Sequence, residues 1–242
     1  MIVLEVKNLK KKFGKNLAVN DISFGLEAGK IIGLIGPNGA GKTTTLKCIT
    51  GLLNKTEGTV TILGMDIRKQ EARTHIAYIP ETPDIYTMLT VWEHMKFIAL
   101  AYELDNWEEK AKELLERFDL ETKRNELGKN LSKGMTQKVS ICCSLLHNPD
   151  VLLVDEPMIG LDPRAIRELK DAFLELKNEG KTILISTHLL DNAQNLCDSV
   201  IVMKNGSIVT QGSIEELRKN INAAEGTSLE DLFLEVTDDE KK

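Results

Sequence analysis

A glycine-rich segment at residues 36–43, GPNGAGKT, has the residue types that bind phosphate. It matches the pattern G-x-x-x-x-G-K-[ST] at every fixed position, between an apolar run at 31–35 and a helical pattern. Glycines let backbone N–H groups turn toward an anion, and the next helix N-terminus adds partial positive charge. Lys42 supplies a cation for the outer phosphates, and Thr43 offers a hydroxyl to Mg²⁺. The alternative is a strand-to-helix turn with an incidental lysine, which the complete match disfavours.

Two carboxylates, Asp155 and Glu156, directly follow a second apolar run at 151–154. A phosphate site needs a carboxylate on a neighbouring strand to hold Mg²⁺ through its water shell, and Asp155 has that position. Glu156 follows where an ionised carboxylate can orient and polarise an attacking water. Acidic residues often end strands, so the pair indicates function only together with the phosphate loop. Together they predict binding of a nucleoside triphosphate with Mg²⁺.

The elements that must position these residues follow an α/β order. The first third predicts a small antiparallel sheet around one βα unit, with strands at 2–6, 19–27 and 57–63. Later runs at 151–154 and 182–186 are continuously apolar or β-branched, as expected of parallel strands covered on both faces. An Asn-Gly pair at 205 and 206 then predicts a hairpin, and Ser213 with Glu216 opens a late helix.

The middle of the chain predicts a block of helices, and we expect it to form an inserted subdomain at about 83–148 of a single domain that spans 1–242. Amphipathic patterns and capping residues predict the C-terminal helical ending at 213–237 as well. The helices of the block are expected at about 90–103, 107–118 and 133–147, the first two opened by capping boxes at Thr90 with Glu93 and at Asn106 with Glu109.

Composition narrows the function classes. A net charge of -6 and a pI of about 5.4 disfavour a dedicated nucleic-acid binder, because neutralising phosphates needs a basic face. No run approaches the ~18 apolar residues of a membrane span, and no basic leader with an apolar core is present at the N-terminus. Four cysteines without C-x-x-C spacing are most simply reduced core thiols. We expect a soluble or peripheral protein of the cytoplasm.

Five segments together resemble the motifs of the ATP-binding subunits of ABC transporters. The Leu-Ser-x-Gly sequence at 131–134 is the discriminating one, since many nucleotide-binding proteins share the phosphate loop and the acidic strand. The resemblance covers nearly the whole chain, and it implies a P-loop NTPase of the RecA-like α/β type with a mostly parallel core, an N-terminal antiparallel β subdomain and an inserted α-helical subdomain. The matching segments are 36–43, 131–135, 151–157, 160–162 and 187–188.

The resemblance also implies ATP and Mg²⁺ as cofactors and a head-to-tail dimer that encloses two nucleotides. In such dimers the phosphate loop of one copy faces Ser132 and Gly134 of the other, at the γ-phosphate. His188 touches that phosphate, Phe13 stacks on adenine, and Asp162 communicates across the dimer. The predicted catalytic residues are Glu156, His188 and Lys42, and the predicted metal ligands are Thr43, Glu81 and Asp155. The predicted nucleotide-binding residues are Phe13, Gly36, Asn38, Gly39, Ala40, Gly41, Lys42, Thr43, Thr44, Glu81, Ser132, Gly134 and Asp162.

Each of these single residues has a plainer alternative. Ser132 and Asp162 are suitable N-caps for the helices that follow them. Phe13 could be a core phenylalanine. A lone histidine after a strand, such as His188, is usually structural.

Two segments depart from the usual family pattern. Glu81 stands where most members have glutamine; it keeps an oxygen ligand but loses the amide donor. Lys133 and Met135 replace residues of Leu-Ser-Gly-Gly-Gln. With these departures and the ending at 229–236, the chain most resembles ATPase subunits of bacterial exporters, including the Ecs type.

The resemblance implies a separate integral membrane permease subunit as partner, at the cytoplasmic face of the membrane. Two copies would pair as a homodimer, or one copy with a second ATP-binding subunit, and no nucleic-acid partner is expected. Residues 81–92, rich in large side chains, are the predicted docking surface; the alternative is a hydrophobic staple in which Leu89 packs on the next helix. Two other functions stay open: a soluble ABC ATPase acting on ribosomes or nucleic acid, and a non-hydrolytic nucleotide sensor.

Overall fold

The computed structural model describes residues 1–159, 161–220 and 227–237, apart from the side chain of Val236. Gly160 of the predicted 160–162 motif, residues 221–226 of the predicted helical ending and the end at 238–242 lie outside the described residues. The strands are β1 (Ile2–Phe13), β2 (Asn16–Glu27), β3 (Ile31–Ile35), β4 (Glu57–Ile62), β5 (Met65–Asp66), β6 (Ile76–Ile79), β7 (Val151–Asp155), β8 (Thr182–Thr187), β9 (Ser199–Lys204) and β10 (Ser207–Gly212). The helices are α1 (Lys42–Ile49), α2 (Gln70–Thr74), α3 (Val91–Ala101), α4 (Trp107–Arg117), α5 (Lys133–Leu145), α6 (Pro163–Asn178), α7 (Leu190–Leu196), α8 (Ile214–Asn220) and α9 (Leu229–Thr237).

Four strands form an antiparallel sheet in the order β2-β1-β4-β5. The first strand is longer than the predicted 2–6, and the second begins at Asn16 rather than at residue 19. Their pairing contains register shifts, one of them between Val6 and Leu9, so the buried side chains no longer alternate strictly. The alternation of apolar and polar residues along β1 therefore ends before the strand itself ends.

Six strands form the second sheet, in the order β10-β9-β3-β8-β7-β6. Only the β9–β10 pair is antiparallel, and its Asn205-Gly206 turn confirms the predicted hairpin. Every residue of β3, β7 and β8 is buried, as the continuous apolar runs predict. Because these strands are parallel, their carboxyl ends lie at one edge, which brings the segments after Ile35, Asp155 and Thr187 together.

Three helices, α3, α4 and α5, pack around one apolar cluster that continues onto α6 and the sheet. Each ends one or two residues before its predicted end. Thr90 and Glu93 form the predicted capping box, since each side chain accepts a bond from the other residue's backbone N–H. The second predicted box is wrong: Asn106 has a left-handed backbone, φ 50°, and no side-chain cap bond. Asparagine tolerates that conformation better than most residues.

The described C-terminal helices pack on the edge of the parallel sheet. Leu229 and Leu232 are buried against β3 and β9, and Phe233 packs beside them. Ser213 and Glu216 exchange the expected capping bonds at the start of α8. The four cysteines are free thiols, as predicted. No described helix has the length and apolar character needed to cross a membrane.

Candidate functional site

The loop between β3 and α1 is shaped by close backbone contacts. A Cβ at Gly36 would lie 2.4 Å from the Met203 carbonyl oxygen, and one at Gly41 would lie 2.6 Å from that of Ala18. Gly41 also has a φ of 102°, which side chains of L-residues rarely adopt. No side chain caps the N-terminus of α1. Its first N–H groups are therefore available to an anion, as the sequence pattern predicts.

Lys42 lies at the centre of this loop. Its Nζ donates to the Gly36 carbonyl at 2.8 Å and lies 3.4 Å from Glu156 Oε1. The two side chains are only 6% and 7% exposed, respectively. A buried ammonium beside a buried carboxylate puts both charged groups in one water-poor site, where they act on a phosphate more strongly than they would in water.

Asp155, at the end of β7, accepts hydrogen bonds from three hydroxyl groups. Thr43 Oγ1 donates to Asp155 Oδ1 at 3.0 Å and Ser186 Oγ to the same oxygen at 2.5 Å. The Tyr78 hydroxyl donates to the other oxygen, Oδ2, at 3.1 Å. A carboxylate beside a threonine hydroxyl is the oxygen donor set that Mg²⁺ prefers. The residues present therefore fit a magnesium ion.

Glu156 is held in an unusual backbone conformation with a φ of 45°. Its N–H donates to the carbonyl and the hydroxyl of Ser186, at 3.0 and 3.2 Å. Its carboxylate lies 3.0 Å from His188 Nδ1 and accepts the His188 backbone N–H at 3.4 Å. Backbone strain of this kind is concentrated at functional sites, where it aims a side chain. Here it points Glu156 between Lys42 and His188.

Lys42, Thr43, Glu156 and His188 line a cavity of about 370 Å³, whereas Asp155 lies outside the described lining. Ten of the predicted site residues are among its lining, together with Ala18 and Ile159, which the sequence did not indicate. Within the described part of the chain, the lining includes neither Phe13 nor Asp162, and no residue of the 131–134 segment. The lining residues are Ala18, Asn38, Gly39, Ala40, Gly41, Lys42, Thr43, Thr44, Glu81, Glu156, Ile159 and His188.

The family model described as "ABC transporter" matches residues 19–159, more than half of the chain. The chain belongs to the ABC transporter family. It is 39% identical over 241 residues to the ABC-type transporter ATP-binding protein EcsA of Bacillus subtilis, covering 98% of this chain and 97% of that protein. A solved structure of the ATP-binding subunit of an ABC transporter superposes with a TM-score of 0.91 at 38% identity, covering 98% of this chain and 100% of that one.

A further relative is longer than this chain. The probable multidrug ABC transporter ATP-binding protein YbhF of Escherichia coli is 36% identical over 220 residues, which cover 89% of this chain and 38% of that protein. Membership of the family makes the chain an ATPase that binds ATP, with the P-loop NTPase fold predicted from its sequence.

The family's signature segment lies at the start of α5. Ser132 is exposed and caps the helix, because its hydroxyl accepts the Met135 N–H at 3.3 Å. A Cβ at Gly134 would meet only the Leu161 side chain, at 3.8 Å. The cap predicted as the alternative function of Ser132 is therefore present, and its contact with a partner's nucleotide stays a prediction.

The plainer alternative is excluded for Phe13, whereas the alternative for Asp162, a helix cap, is present. Phe13 ends β1 with 49% of its surface exposed, and Lys11 Nζ lies 4.7 Å from the ring centroid. A core phenylalanine is thus excluded, and stacking of Phe13 on adenine stays a prediction. Asp162 caps α6, since its Oδ1 accepts the N–H groups of Arg164 and Ala165, each at 3.0 Å. A role of Asp162 across a dimer stays a prediction.

A second cavity, of about 470 Å³, lies between β6, α3 and α5; we call it the groove. Its rim carries the exposed aromatic side chains of Tyr86 and Phe97. The groove is lined by Thr50, Leu52, Arg73, Ile76, Ala77, Tyr78, Asp84, Ile85, Tyr86, His94, Phe97, Ile98, Tyr102, Ser140, Cys143, Ser144 and His147.

Two groove histidines each have one ring nitrogen without a partner among the described residues. His94 Nδ1 lies 2.7 Å from the Thr90 carbonyl oxygen, and Nε2 is the unpartnered atom. His147 Nε2 lies 3.4 Å from the Ile76 carbonyl oxygen, and Nδ1 is unpartnered. A carbonyl only accepts, so in the neutral ring the nitrogen facing it carries the proton and the other is an acceptor. Both unpartnered nitrogens are buried atoms of residues that line the groove.

The sequence did not predict Tyr78 and Ser186 as neighbours of Asp155. Both lie within apolar strands, where a tyrosine and a serine are unremarkable. Ser186 had one signal, because it is a polar residue close to the carboxyl end of a strand beside Asp155. Tyr78 had none, because its contact depends on which strand pairs with β7.

Proposed function

We propose that this chain hydrolyses ATP as one half of a two-chain clamp that drives a membrane permease. The observation that carries the catalytic proposal is the buried pair of Lys42 and Glu156, with the more exposed His188 beside Glu156, around one cavity. In this proposal Lys42 binds the outer phosphates, and Glu156 orients and polarises the attacking water. His188 contacts the γ-phosphate and keeps the Glu156 carboxylate in place.

The proposal includes Mg²⁺, with Thr43, Asp155 and Glu81 as the residues that hold it. The ion, when bound, neutralises charge on the phosphate oxygens during transfer. Thr43 and Asp155 already lie 3.0 Å apart, and Glu81 lines the same cavity. Glu81 adds a negative charge that a glutamine at this position would lack, so it favours cation binding.

A second copy would complete the site. Ser132 and Gly134 belong to the segment that marks the family, yet the described lining of the cavity does not include them. A capped helix start with free N–H groups is suited to an anion. We therefore place the Ser132 and Gly134 of one chain at the γ-phosphate bound by another chain, in a homodimer or with a second ATP-binding subunit. Phe13 would stack on adenine, and Asp162 would lie near the junction.

The groove is the proposed site for a cytoplasmic segment of an integral membrane permease. Similarity to ATP-binding proteins of transporters supports a membrane partner at the cytoplasmic face. Cytoplasmic loops of membrane proteins are enriched in Lys and Arg. The groove suits such a segment, because its lining combines aromatic residues with the Asp84 carboxylate. Export is the proposed direction, in line with the multidrug name of one relative.

Glu156→Gln tests the catalytic proposal. The amide keeps the size of the side chain but cannot act as a base, so we expect turnover to fall at least about 100-fold. Nucleotide binding and ATP-dependent dimerisation, followed by size-exclusion chromatography with light scattering, should persist. Glu116→Gln, an exposed position on α4, is the matched control. Hydrolysis near the wild-type rate by the Glu156 variant would remove that residue from its role.

A further inference from the structure

Tyr78 contacts both the groove and the catalytic edge of the sheet. It lies in β6, beside Leu153 of β7, and it is one of the residues that line the groove. Its hydroxyl donates to Asp155 Oδ2 at 3.1 Å. Of the described groove residues, Tyr78 alone is hydrogen-bonded to Asp155.

We propose that Tyr78 is a positioning residue that links occupation of the groove to the orientation of the Asp155 carboxylate. The inference rests on the proposed function in one respect, that the natural occupant of the groove is the membrane subunit. Glu81 lines the nucleotide cavity and is not among the described groove residues, so the route through Tyr78 is separate from any contact that Glu81 makes.

The two oxygens of the Asp155 carboxylate are held differently. Oδ1 accepts from Thr43 and from Ser186, which is completely buried. Oδ2 accepts from Tyr78, which is a groove-lining residue. A side chain seated in the groove presses on the ring and shifts the hydroxyl relative to Oδ2, while Oδ1 remains fixed. The carboxylate then turns about its Oδ1 contacts, and its fit to Mg²⁺ changes. Groups that orient a metal ligand in this way affect metal affinity strongly.

Linkage makes the effect reciprocal. If occupation of the groove changes Mg²⁺ binding through Tyr78, then bound Mg²⁺ and nucleotide change the affinity of the groove by the same factor. The affinity of the groove for its occupant would then depend on whether nucleotide and Mg²⁺ are bound, without movement of the phosphate loop.

A double-mutant cycle on the full chain tests this link without the membrane subunit. Tyr78→Phe removes the hydroxyl and keeps the ring, and Ser144→Phe adds a ring that imitates an occupied groove. The readout is the affinity for fluorescent methylanthraniloyl-ATP in Mg²⁺ divided by its affinity in EDTA. We expect Tyr78→Phe to lower this ratio about tenfold. Tyr102→Phe, which removes another groove hydroxyl, should leave the ratio unchanged.

The decisive comparison is Ser144→Phe in the two backgrounds. It should change the Mg²⁺ ratio about fivefold when Tyr78 is present and leave it unchanged when combined with Tyr78→Phe. Equal effects in both backgrounds, or an unchanged ratio in Tyr78→Phe, would overturn the proposal. Ser144→Leu replaces the phenylalanine variant if the latter does not fold.

Failure of this inference can be told from failure of the proposed docking. Phe97→Glu places a charge on the groove rim and should abolish co-purification of the chain with an integral membrane protein from detergent-solubilised membranes. If co-purification survives while the cycle is non-additive, the link through Tyr78 stands and the docking site is wrong. If the cycle is additive while co-purification is lost, the docking site stands and the link is wrong.

Discussion

His147 is a half-buried histidine whose pKa is lowered, so its ring is neutral at pH 7. Desolvation lowers its pKa from 6.5 to about 4, and the charge of Lys181 contributes in the same direction. Its ring stacks on Tyr102 with 4.0 Å between centroids. In the unfolded chain the ring takes up a proton near pH 6.5, whereas in the folded chain it does so only near pH 4. The folded state therefore loses stability as the pH falls from 6.5 toward 4.

His147→Phe should flatten this pH dependence. Phenylalanine preserves an aromatic face for Tyr102 and removes the titration, so the variant should lose less stability on acidification. The difference should be at most about 1.4 kcal/mol for each pH unit between 6.5 and 4. Urea unfolding at pH 7, 5.5 and 4.5 measures it. Parallel curves for the two proteins would show that His147 does not titrate differently in the folded and unfolded states.

The sequence predicted the positions of Asp155 and Glu156 better than it predicted the residues that contact them. Asp155 and Glu156 were predictable because parallel strands bring their carboxyl ends to one edge, and that rule needs no knowledge of side-chain contacts. The bonds from Tyr78 and Ser186 to Asp155 join positions that are 77 and 31 residues apart, respectively. Such contacts depend on strand order. The left-handed backbone of Glu156 is also a product of tertiary structure rather than of local propensity.

At the scale of elements, the β9–β10 hairpin supports the phosphate loop from behind. The Gly206 N–H donates to the Ala40 carbonyl at 3.0 Å, and the Gly206 carbonyl accepts the Asn20 N–H at 2.8 Å. One tight turn thus contacts both the loop and β2. The Asn-Gly pair predicted the turn, but nothing local predicted what the turn would contact.

Gly206→Ala should weaken ATP binding although Gly206 is not among the cavity's described lining. Gly206 has a φ of 78°, and an added Cβ would lie 2.9 Å from the Ala18 carbonyl oxygen. Gly64→Ala is a matched control, because its φ is 79° and its Cβ would meet nothing within 4 Å. Both changes should cost about 1 kcal/mol of stability through backbone strain. Gly206→Ala alone should also lower ATP affinity about tenfold in isothermal titration.

Equal ATP affinities in the two variants would show that the loop does not depend on the hairpin.

Strand lengths illustrate the same limit of local prediction. Lys7, Asn8 and the lysines that follow did not suggest a strand, yet pairing with two neighbours extends β1 to Phe13. A β-strand is stabilised largely by its partners, so its ends are set by the sheet.

If two chains pair head to tail, each nucleotide site takes residues from both chains. Two variants that are inactive alone should then recover activity when they are mixed. Lys42→Ala removes the cation of a loop, and Ser132→Ala removes the signature hydroxyl. In a mixed dimer, the loop of the Ser132 variant faces the signature of the Lys42 variant, which restores one complete site. Mixing two inactive proteins should therefore recover roughly a quarter of wild-type hydrolysis, since half of random dimers are mixed and each has one of two sites.

A colorimetric phosphate assay on equimolar mixtures measures this recovery, with each variant alone at the same total concentration as the control. Absence of recovery would contradict the exchange of Ser132 between copies and leave it as a helix cap. The family resemblance, rather than the fold of one chain, led to this prediction, because a site completed by a second copy has no signature in the contacts of one copy.

Residues associated with both sheets line the nucleotide cavity, and this affects how the chain unfolds on heating. Ala18 belongs to the antiparallel sheet, whereas Lys42 and Glu156 follow strands of the parallel one, and all three line the same cavity. A nucleotide bound there contacts both sheets at once. Neither sheet can then unfold without releasing the ligand, so bound ATP couples the melting of the two halves into one cooperative transition.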